Sequence, residues 1–294
     1  MQVPAQFQYE KATSVEHALT LLDRYGEDSV LVAGGHSLLP MMKLRLAQPE
    51  TLIDINDVAE LGHIGVDRDA VTIGAMVRHA DLLASPVIGE HFPILTDAER
   101  VIADPAVRHR GTVGGSLCQA DPSEDLAAAF VALDADALVR GPGGERTVPV
   151  REFFAGPYET VLDPGELLVA LRVPIRSSAS AYEKVERRSG DWAVASAGAA
   201  LRLDDGHVAW VGLGLTAVGA PGFGAPEAER FLVGGEASEQ RFAEAGRIAA
   251  EHCNPMADQR GPVDYKRHLA ATLTARALRR AASRWRGHRT HEES

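Results

Sequence analysis

Two short glycine-bearing segments place the strongest constraint on what this chain can fold into and bind. The first is VAGGHSLLP at Val32–Pro40, and the second is RGTVGGSLCQADPSEDL at Arg110–Leu126, roughly eighty residues later. Glycine reaches backbone conformations with positive φ, and without a Cβ it lets a ligand approach main-chain N–H groups closely. Because a run of such N–H groups forms a concavity that binds anions, the pair predicts one divided site for a pyrophosphate group.

The sequence around each segment supports this hypothesis. The apolar run SVLVA at residues 29–33 predicts a buried strand, and ligand crevices form where such strands end. The second segment continues into residues 124–133, which predict a capped helix with acidic residues in its first turn. For either segment alone a simple turn explains the glycines equally well, but the two together favour a ligand site.

Neither segment matches the common nucleotide fingerprints. The chain has no Walker-type glycine-lysine-serine run, and no glycine triplet of Rossmann spacing joins a strand to a helix. A kinase and an ordinary NAD-dependent dehydrogenase are therefore disfavoured. The glycines that come nearest to such a fingerprint are Gly212, Gly214 and Gly219. Because they lie in and after a strand-like stretch, we predict that they serve sheet packing and a turn.

The charge balance and the start of the chain narrow the functional class. A formal net charge of −11 over 294 residues argues against a nucleic-acid surface. No apolar stretch approaches the roughly eighteen residues that predict a membrane-spanning helix. The opening MQVP does not resemble a signal peptide. We therefore expect a cytoplasmic protein without a transmembrane segment.

The two cysteines, Cys118 and Cys253, are far apart in sequence and show no paired metal-ligand spacing. We expect no metal site in this chain. Cys118 follows the second glycine segment, and we predict a small buried side chain there, with ligand contact as the alternative.

Hydrophobic periodicity and turn signals predict a mixed α and β chain. Residues 7–24 predict a strand followed by a helix, and a strand at 51–55 completes a βαβ-like opening. Hairpins are predicted around the GPGG turn at 141–144 and the DDG turn at 204–206. Helices within 238–286 are predicted to follow.

A basic stretch at 276–289 lies near the end of the chain. We predict a solvated face at a helix C-terminus, with docking on an acidic partner as the alternative.

Four longer stretches carry a resemblance to a known family. They are AGGHSLLPMMKLR from Ala33, ADPAVRHRGTVGGSL from Ala103, YEKVERRSGDWA from Tyr182 and CNPMADQRGPVDYKRHLA from Cys253. In order and spacing they resemble the FAD-binding medium subunits of the molybdenum hydroxylases, most closely those of the carbon monoxide dehydrogenases. The resemblance covers nearly the whole chain.

The resemblance implies an α+β fold with an FAD-binding domain of the PCMH or vanillyl-alcohol-oxidase type. That domain would occupy residues 1–176 in two subdomains, about 1–57 and 58–176, with FAD lying extended between them. A C-terminal domain of antiparallel strands and helices would follow at 177–286, with a tail at 287–294.

The resemblance also assigns FAD contacts residue by residue. Both glycine segments would hold the pyrophosphate, which agrees with the independent interpretation of their backbones. The residues that match the two FAD motifs are Ala33, Gly34, Gly35, His36, Ser37, Leu38, Thr112, Val113, Gly114, Gly115 and Ser116. The family often has asparagine at the last position, and serine keeps a hydroxyl donor and acceptor with shorter reach.

Three further positions match FAD contacts outside the glycine segments. Asp125 matches an acidic position, and capping of a helix is its structural alternative. Lys184 matches a cation near the flavin, where it would stabilise negative charge on the ring, and a surface strand lysine is the alternative. Trp192 matches a residue close to the isoalloxazine, as a packing wall or a movable cover, and a buried core tryptophan is the alternative.

The resemblance implies an electron-relay subunit of an oxidoreductase complex. A large molybdopterin subunit would oxidise carbon monoxide with water to carbon dioxide. A small subunit with two [2Fe–2S] clusters would carry the electrons, and FAD in this chain would pass them to an external acceptor such as a quinone. The implied assembly is a dimer of heterotrimers, compatible with peripheral contact at the inner face of a respiratory membrane. No side chain is assigned as a general acid or base.

Three alternatives stay open. Another molybdenum hydroxylase, acting on an aldehyde, a purine or an aromatic heterocycle, would use nearly the same medium subunit. A stand-alone flavin reductase of the same fold group, such as the one acting on UDP-N-acetylenolpyruvylglucosamine, has a similar length. An assembly protein that keeps the fold without flavin is the third.

Overall fold

Alternating strand and helix patterns in the sequence produce a mixed α and β structure. A computed structural model describes residues 3–292, with side chains for 3–285, so the side chains of the predicted tail lie outside the described residues. In chain order the strands and helices are β1 (Gln8–Lys11), α1 (Val15–Tyr25), β2 (Ser29–Val32), α2 (Leu38–Lys43), β3 (Thr51–Asp54), β4 (Ile64–Val66), β5 (Ala70–Gly74), α3 (His79–Ala84), α4 (Pro86–His91), α5 (Pro93–Arg100), α6 (Pro105–Arg108), α7 (Val113–Gln119), α8 (Asp125–Ala132), β6 (Asp136–Gly141), β7 (Gly144–Pro149), β8 (Phe154–Gly156), β9 (Glu159–Thr160), β10 (Leu167–Pro174), β11 (Ala179–Glu186), β12 (Ala193–Asp204), β13 (His207–Thr216), α9 (Pro226–Leu232), α10 (Glu239–Glu251) and α11 (Val263–Glu292).

The chain divides into two compact units, each built from separate stretches of sequence. The first unit comprises the residues up to 81, 104–120 and 136–172, and the second comprises 82–103, 121–135 and the residues from 173 onward. Both glycine segments as far as Ala120 belong to the first unit, whereas Asp125, Lys184 and Trp192 belong to the second.

The first unit opens with a parallel sheet in the order β1-β3-β2, which confirms the predicted βαβ-like opening. Ser14 caps α1, since its hydroxyl accepts a hydrogen bond from the His17 N–H at 3.0 Å. The apolar face of this helix is buried in a hydrophobic cluster that also contains Ile53 of β3. Because β2 ends at Val32, the first glycine segment begins at the carboxyl end of a parallel strand, as the sequence predicts.

A second sheet of the first unit has the order β4-β5-β10-β6-β7. β6 and β7 form the predicted hairpin, in which Gly141 pairs with Gly144. The chain leaving β5 runs beside the second glycine segment, and Arg78 and Thr112 form an isolated antiparallel bridge there. The residues that follow β5 therefore contact the backbone of the second glycine segment where α7 begins.

The second unit is built on an antiparallel sheet in the order β11-β12-β13, with Asp204 and His207 closing the predicted hairpin. A Cβ on Gly214 would overlap the carbonyl oxygen of Ala128 in α8, and a Cβ on Gly212 would overlap that of Ala132. The packing role predicted for these two strand glycines is therefore confirmed. The α+β class predicted from the sequence is confirmed as well.

A buried carboxylate joins α11 to α5 within the second unit. Asp97 of α5 accepts hydrogen bonds from the Arg280 guanidinium at 3.0 Å and from the Arg284 guanidinium at 2.7 Å. The prediction of a solvated basic face is therefore wrong for Arg284, whose side chain is 27% exposed, whereas Arg280 pairs with Asp97 and stays 41% exposed. Among the described residues, no helix is both long and apolar enough to cross a membrane.

Candidate functional site

The first unit brings the two glycine segments into contact. A Cβ built on Gly34 would lie 2.5 Å from the Arg110 carbonyl oxygen and 2.7 Å from the Gly111 Cα. Real Cβ atoms do not approach backbone this closely, so Gly34 is the residue that permits the contact. Nearby, a Cβ on Gly115 would come within 3.8 Å of the Ala33 Cβ. Two segments far apart in sequence therefore form one local structure.

The first glycine segment carries a run of backbone donors. Among the described residues, none accepts a hydrogen bond from the N–H groups of residues 34–38. Gly35 has φ +77°, a left-handed conformation that favours glycine, and α2 begins at Leu38. Successive N–H groups without acceptors, in a turn that leads into a helix, are typical of anion-binding segments. His36 is exposed beside them.

The second glycine segment forms the start of α7, whereas the sequence predicts a run of backbone N–H groups that binds an anion. The four N–H groups from 113 to 116 all donate within the protein. Their acceptors are, in order, the Val77 carbonyl (2.9 Å), the Ala75 carbonyl (2.8 Å), the Thr112 hydroxyl (3.1 Å) and the Thr112 carbonyl (2.9 Å). These N–H groups are therefore not offered to an anion, contrary to that prediction. The assignment of residues 112–116 as FAD contacts stays a prediction.

Cys118 also differs from its predicted environment. The prediction of a small buried side chain is wrong, because Cys118 lies exposed on α7. The helix turns its apolar face inward through Val113 and Leu117, both of which are fully buried, and Cys118 falls on another face.

Asp125 and Lys184 form a buried ion pair in the second unit. The Lys184 ammonium lies 2.8 Å from an Asp125 carboxylate oxygen and donates to the Val101 carbonyl at 3.0 Å. The side chains of the pair are only 2% and 5% exposed, for Lys184 and Asp125 respectively. The Tyr182 hydroxyl donates to Asp125 at 2.7 Å and lies 2.5 Å from the Ser196 hydroxyl. The alternative of a surface lysine is therefore wrong.

Capping of α8 falls to the residue before Asp125. The Glu124 carboxylate accepts hydrogen bonds from the N–H groups of Leu126 at 2.9 Å and Ala127 at 2.5 Å. The capping alternative for Asp125 is therefore wrong, and its carboxylate serves the buried pair instead.

Trp192 lies in the connection between β11 and β12, and its side chain is 44% exposed. The alternative of a buried core tryptophan is therefore wrong. Its contact with the flavin stays a prediction.

Sequence reasoning missed two polar residues beside the glycine segments, Asn56 and Arg78. The Asn56 side-chain amide donates to the Ala33 carbonyl at 2.8 Å and accepts from the Arg78 guanidinium at 2.7 Å. Asn56 follows β3 at the same carboxyl edge of the parallel sheet where Gly34 follows β2. A polar residue just after a neighbouring parallel strand was the available signal for Asn56, whereas nothing in the sequence pattern singled out Arg78.

Two family models match most of the chain. The FAD binding domain in molybdopterin dehydrogenase matches residues 5–176, and the CO dehydrogenase flavoprotein C-terminal domain matches residues 180–281. The two matches follow one another along the chain in the predicted order.

Similar proteins belong to the same family, and they match this chain over nearly their whole length. The chain is 40% identical to the carbon monoxide dehydrogenase medium chain of Hydrogenophaga pseudoflava, covering 96% of this chain and 99% of that one. It is 35% identical to the 6-hydroxypseudooxynicotine dehydrogenase complex subunit alpha of Paenarthrobacter nicotinovorans, covering 96% and 97%. A solved structure of carbon monoxide dehydrogenase from Hydrogenophaga pseudoflava, which lacks the Mo-pyranopterin moiety of the molybdenum cofactor, matches with a TM-score of 0.93 at 43% identity, covering 96% and 99%. The chain belongs to the FAD-binding medium subunits of the molybdenum hydroxylases, which are oxidoreductases.

Proposed function

We propose that this chain is the FAD-carrying medium subunit of a molybdenum-dependent carbon monoxide dehydrogenase. The observation that carries the proposal is the 40% identity to a carbon monoxide dehydrogenase medium chain across 99% of that chain. In this proposal a large molybdopterin subunit oxidises carbon monoxide, and a small subunit with two [2Fe–2S] clusters delivers the electrons to this chain. FAD, when bound, supplies a carrier that accepts those electrons and passes them to an external acceptor such as a quinone.

The first glycine segment fits the diphosphate of FAD. The N–H groups of 34–38 have no acceptor among the described residues, and Gly34 removes the Cβ that would separate the two segments. A diphosphate supplies acceptors for such donors and negative charge for the start of α2. We propose that residues 33–38 bind the diphosphate. Residues 112–116 pack against them and keep their backbone in place.

The Lys184–Asp125 pair contributes a buried polar network in the second unit. Burial raises the pKa of the Asp125 carboxyl, and the Lys184 ammonium and the Tyr182 hydroxyl oppose that rise. Their contact with the flavin, like that of Trp192, is part of the proposal that rests on the family resemblance. Because the Lys184 ammonium lowers the pKa of Asp125, a substitution that removes this charge raises that pKa.

The assembly and its location are also proposed. We infer a dimer of heterotrimers in the cytoplasm, with contact at the inner face of a respiratory membrane through the complex. The support is the resemblance to medium chains of multi-subunit dehydrogenases. The same resemblance supports the predicted domains at 1–176 and 177–286, with a subdomain boundary near 57.

A second candidate function is supported by the relative from Paenarthrobacter nicotinovorans. At 35% identity over 97% of its length, that subunit belongs to a complex named as a dehydrogenase of 6-hydroxypseudooxynicotine. Medium subunits of this family therefore serve complexes with different substrates. An organic substrate for the large subunit is the alternative to carbon monoxide.

The proposed function predicts that carbon monoxide reduces the flavin of the native complex. The chain is purified from its host with its partners, and the flavin absorbance is followed after anaerobic addition of carbon monoxide. We expect bleaching in a complex that contains molybdenum and iron. An unchanged flavin spectrum that is bleached by an aldehyde or a heterocycle would favour the second candidate, and direct reduction of the lone chain by NADPH would contradict the relay function.

Replacement of Gly34 by alanine is expected to abolish tight FAD binding. The new Cβ would lie 2.5 Å from the Arg110 carbonyl oxygen, so the two glycine segments must separate. The FAD content of the purified complex is measured by absorbance against protein. Gly62→Ala in the same unit is the matched control, because its Cβ would meet only an ordinary contact, 3.6 Å from the Ala59 carbonyl oxygen. Full FAD content in Gly34→Ala would refute the role of the close contact.

Replacement of Lys184 by methionine is expected to make stability depend on pH. Without its ammonium the buried Asp125 carboxylate loses its ion pair, at a cost of about 3–5 kcal/mol near pH 7.5. In the folded variant the pKa of Asp125 then rises further above its unfolded value. The free energy of unfolding is therefore retained below the unfolded pKa, and it falls as the pH rises from the unfolded pKa through the folded pKa. Urea unfolding at pH 5 and pH 7.5 measures the difference.

The matched control for this pH effect is the double variant Lys184→Met/Asp125→Asn, which removes the Asp125 carboxylate and keeps that of Glu186, 3.4 Å from the Lys184 ammonium in the wild-type chain. The stability that it loses relative to wild type should change less between the two pH values than the loss in the single variant. An equal loss of stability at both pH values in the single variant would contradict the assignment of the ion pair.

A further inference from the structure

We propose that Asn56 and Arg78 act as positioning residues for FAD, by joining the Ala33 and Arg110 carbonyl groups, each of which directly precedes the first glycine of its segment. This inference rests on the proposed binding of FAD by this chain. Neither side chain is proposed to touch the cofactor. Their function is to set the spacing between the N–H donors of 34–38 and the start of α7.

Asn56 holds the first segment. Its side-chain N–H₂ donates to the Ala33 carbonyl at 2.8 Å, one residue before Gly34. The same N–H₂ group lies 2.6 Å from an Asp54 carboxylate oxygen, which also accepts from the Asn56 backbone N–H at 2.8 Å. Because both neighbours are acceptors, the amide nitrogen must face them, and the amide oxygen must face Arg78.

Asp54 fixes the orientation of Asn56. Burial alone would raise the pKa of Asp54, but hydrogen bonds from the Tyr9 hydroxyl and from Asn56 outweigh it, and the pKa lies below its ordinary value. The Tyr9 hydroxyl lies 2.5 Å from the second oxygen of this carboxylate. Asp54 is therefore ionised at neutral pH and keeps the Asn56 amide in one orientation.

Arg78 holds the second segment. Its guanidinium donates to the Asn56 amide oxygen at 2.7 Å and, through its other terminal nitrogen, to the Arg110 carbonyl oxygen. The backbone next to it is paired with the same segment, since the His79 N–H donates to the Gly111 carbonyl at 3.2 Å. The planar guanidinium is suited to this task because it reaches two acceptors in fixed directions, which an ammonium does not.

The two halves meet at the close contact of Gly34. The Arg110 carbonyl that Arg78 binds is the group against which Gly34 packs. Hydrogen bonds therefore run from Ala33 through Asn56 and Arg78 to Arg110, and they close a ring around the place where the segments touch. Loss of either side chain leaves the strands and α7 in place but frees the segments to move relative to one another.

Two conservative substitutions test the proposal. Asn56→Asp keeps the size and the acceptor for Arg78 but replaces the donor to Ala33 with a second carboxylate beside Asp54. Arg78→Lys keeps the charge but replaces two separate terminal nitrogens, each of which reaches one acceptor, with a single ammonium nitrogen. The matched control is Arg172→Lys, because Arg172 in the same unit pairs with Asp69 at the surface, at 3.0 Å.

The complex is purified with its partner subunits, freed of FAD and titrated with FAD, with flavin fluorescence giving Kd. We expect Kd to rise about tenfold or more in Asn56→Asp and in Arg78→Lys, and to stay at the wild-type value in Arg172→Lys. The double variant should bind FAD no more weakly than the weaker single variant, since both changes break one connection. The visible circular dichroism of bound FAD should change in both single variants, and the thermal midpoint of the FAD-free complexes is measured in parallel.

Wild-type Kd and an unchanged flavin spectrum in either single variant would overturn the positioning role, even if the thermal midpoint falls, because that pattern belongs to a residue that only stabilises the fold. A wild-type complex that binds no FAD would instead overturn the proposed function, and the positioning role with it. If Arg78→Lys fails to assemble, Asn56→Asp alone decides between these results.

Discussion

The contact between Gly34 and the Arg110 carbonyl is the constraint on which the candidate site depends. It requires glycine at position 34, and it brings together two segments that are separated in sequence by three strands and several helices. The parallel sheet positions Gly34, because β2 ends two residues before it. The isolated bridge between Arg78 and Thr112 positions the second glycine segment. A displacement of either element would separate the segments, so the site is a property of the whole first unit.

The two segments make different contributions to the site. Residues 34–38 keep their N–H groups without acceptors among the described residues, whereas the N–H groups of 113–116 are all engaged by Val77, Ala75 and Thr112. A set of donors held against a fixed backbone loses little conformational freedom when an anion binds. In the proposed function the first segment is therefore the binding surface for the diphosphate, and the second segment is its support.

Local patterns predicted the parts of this structure that local forces determine. The βαβ-like opening, the hairpins and the packing role of Gly212 and Gly214 follow from periodicity, turn residues and small side chains. The engaged start of α7 could not be predicted, because its acceptors lie in a distant segment. The same reason applies to the ion pairs of Arg280 and Arg284 with Asp97, and to the pair of Asp125 with Lys184, because the partners lie on different elements. The family resemblance assigned flavin contacts to Asp125 and Lys184, but it did not reveal that these two residues bind one another.

The most direct test of this account is amide hydrogen exchange in the complex, measured with and without FAD. The account predicts that the amides of 34–38 exchange fast without FAD and are protected when FAD binds, while the amides of 113–116 are protected in both states. Equal exchange at 34–38 in the two states, or new protection confined to 113–116, would contradict the assignment of the first segment as the donor surface for the diphosphate.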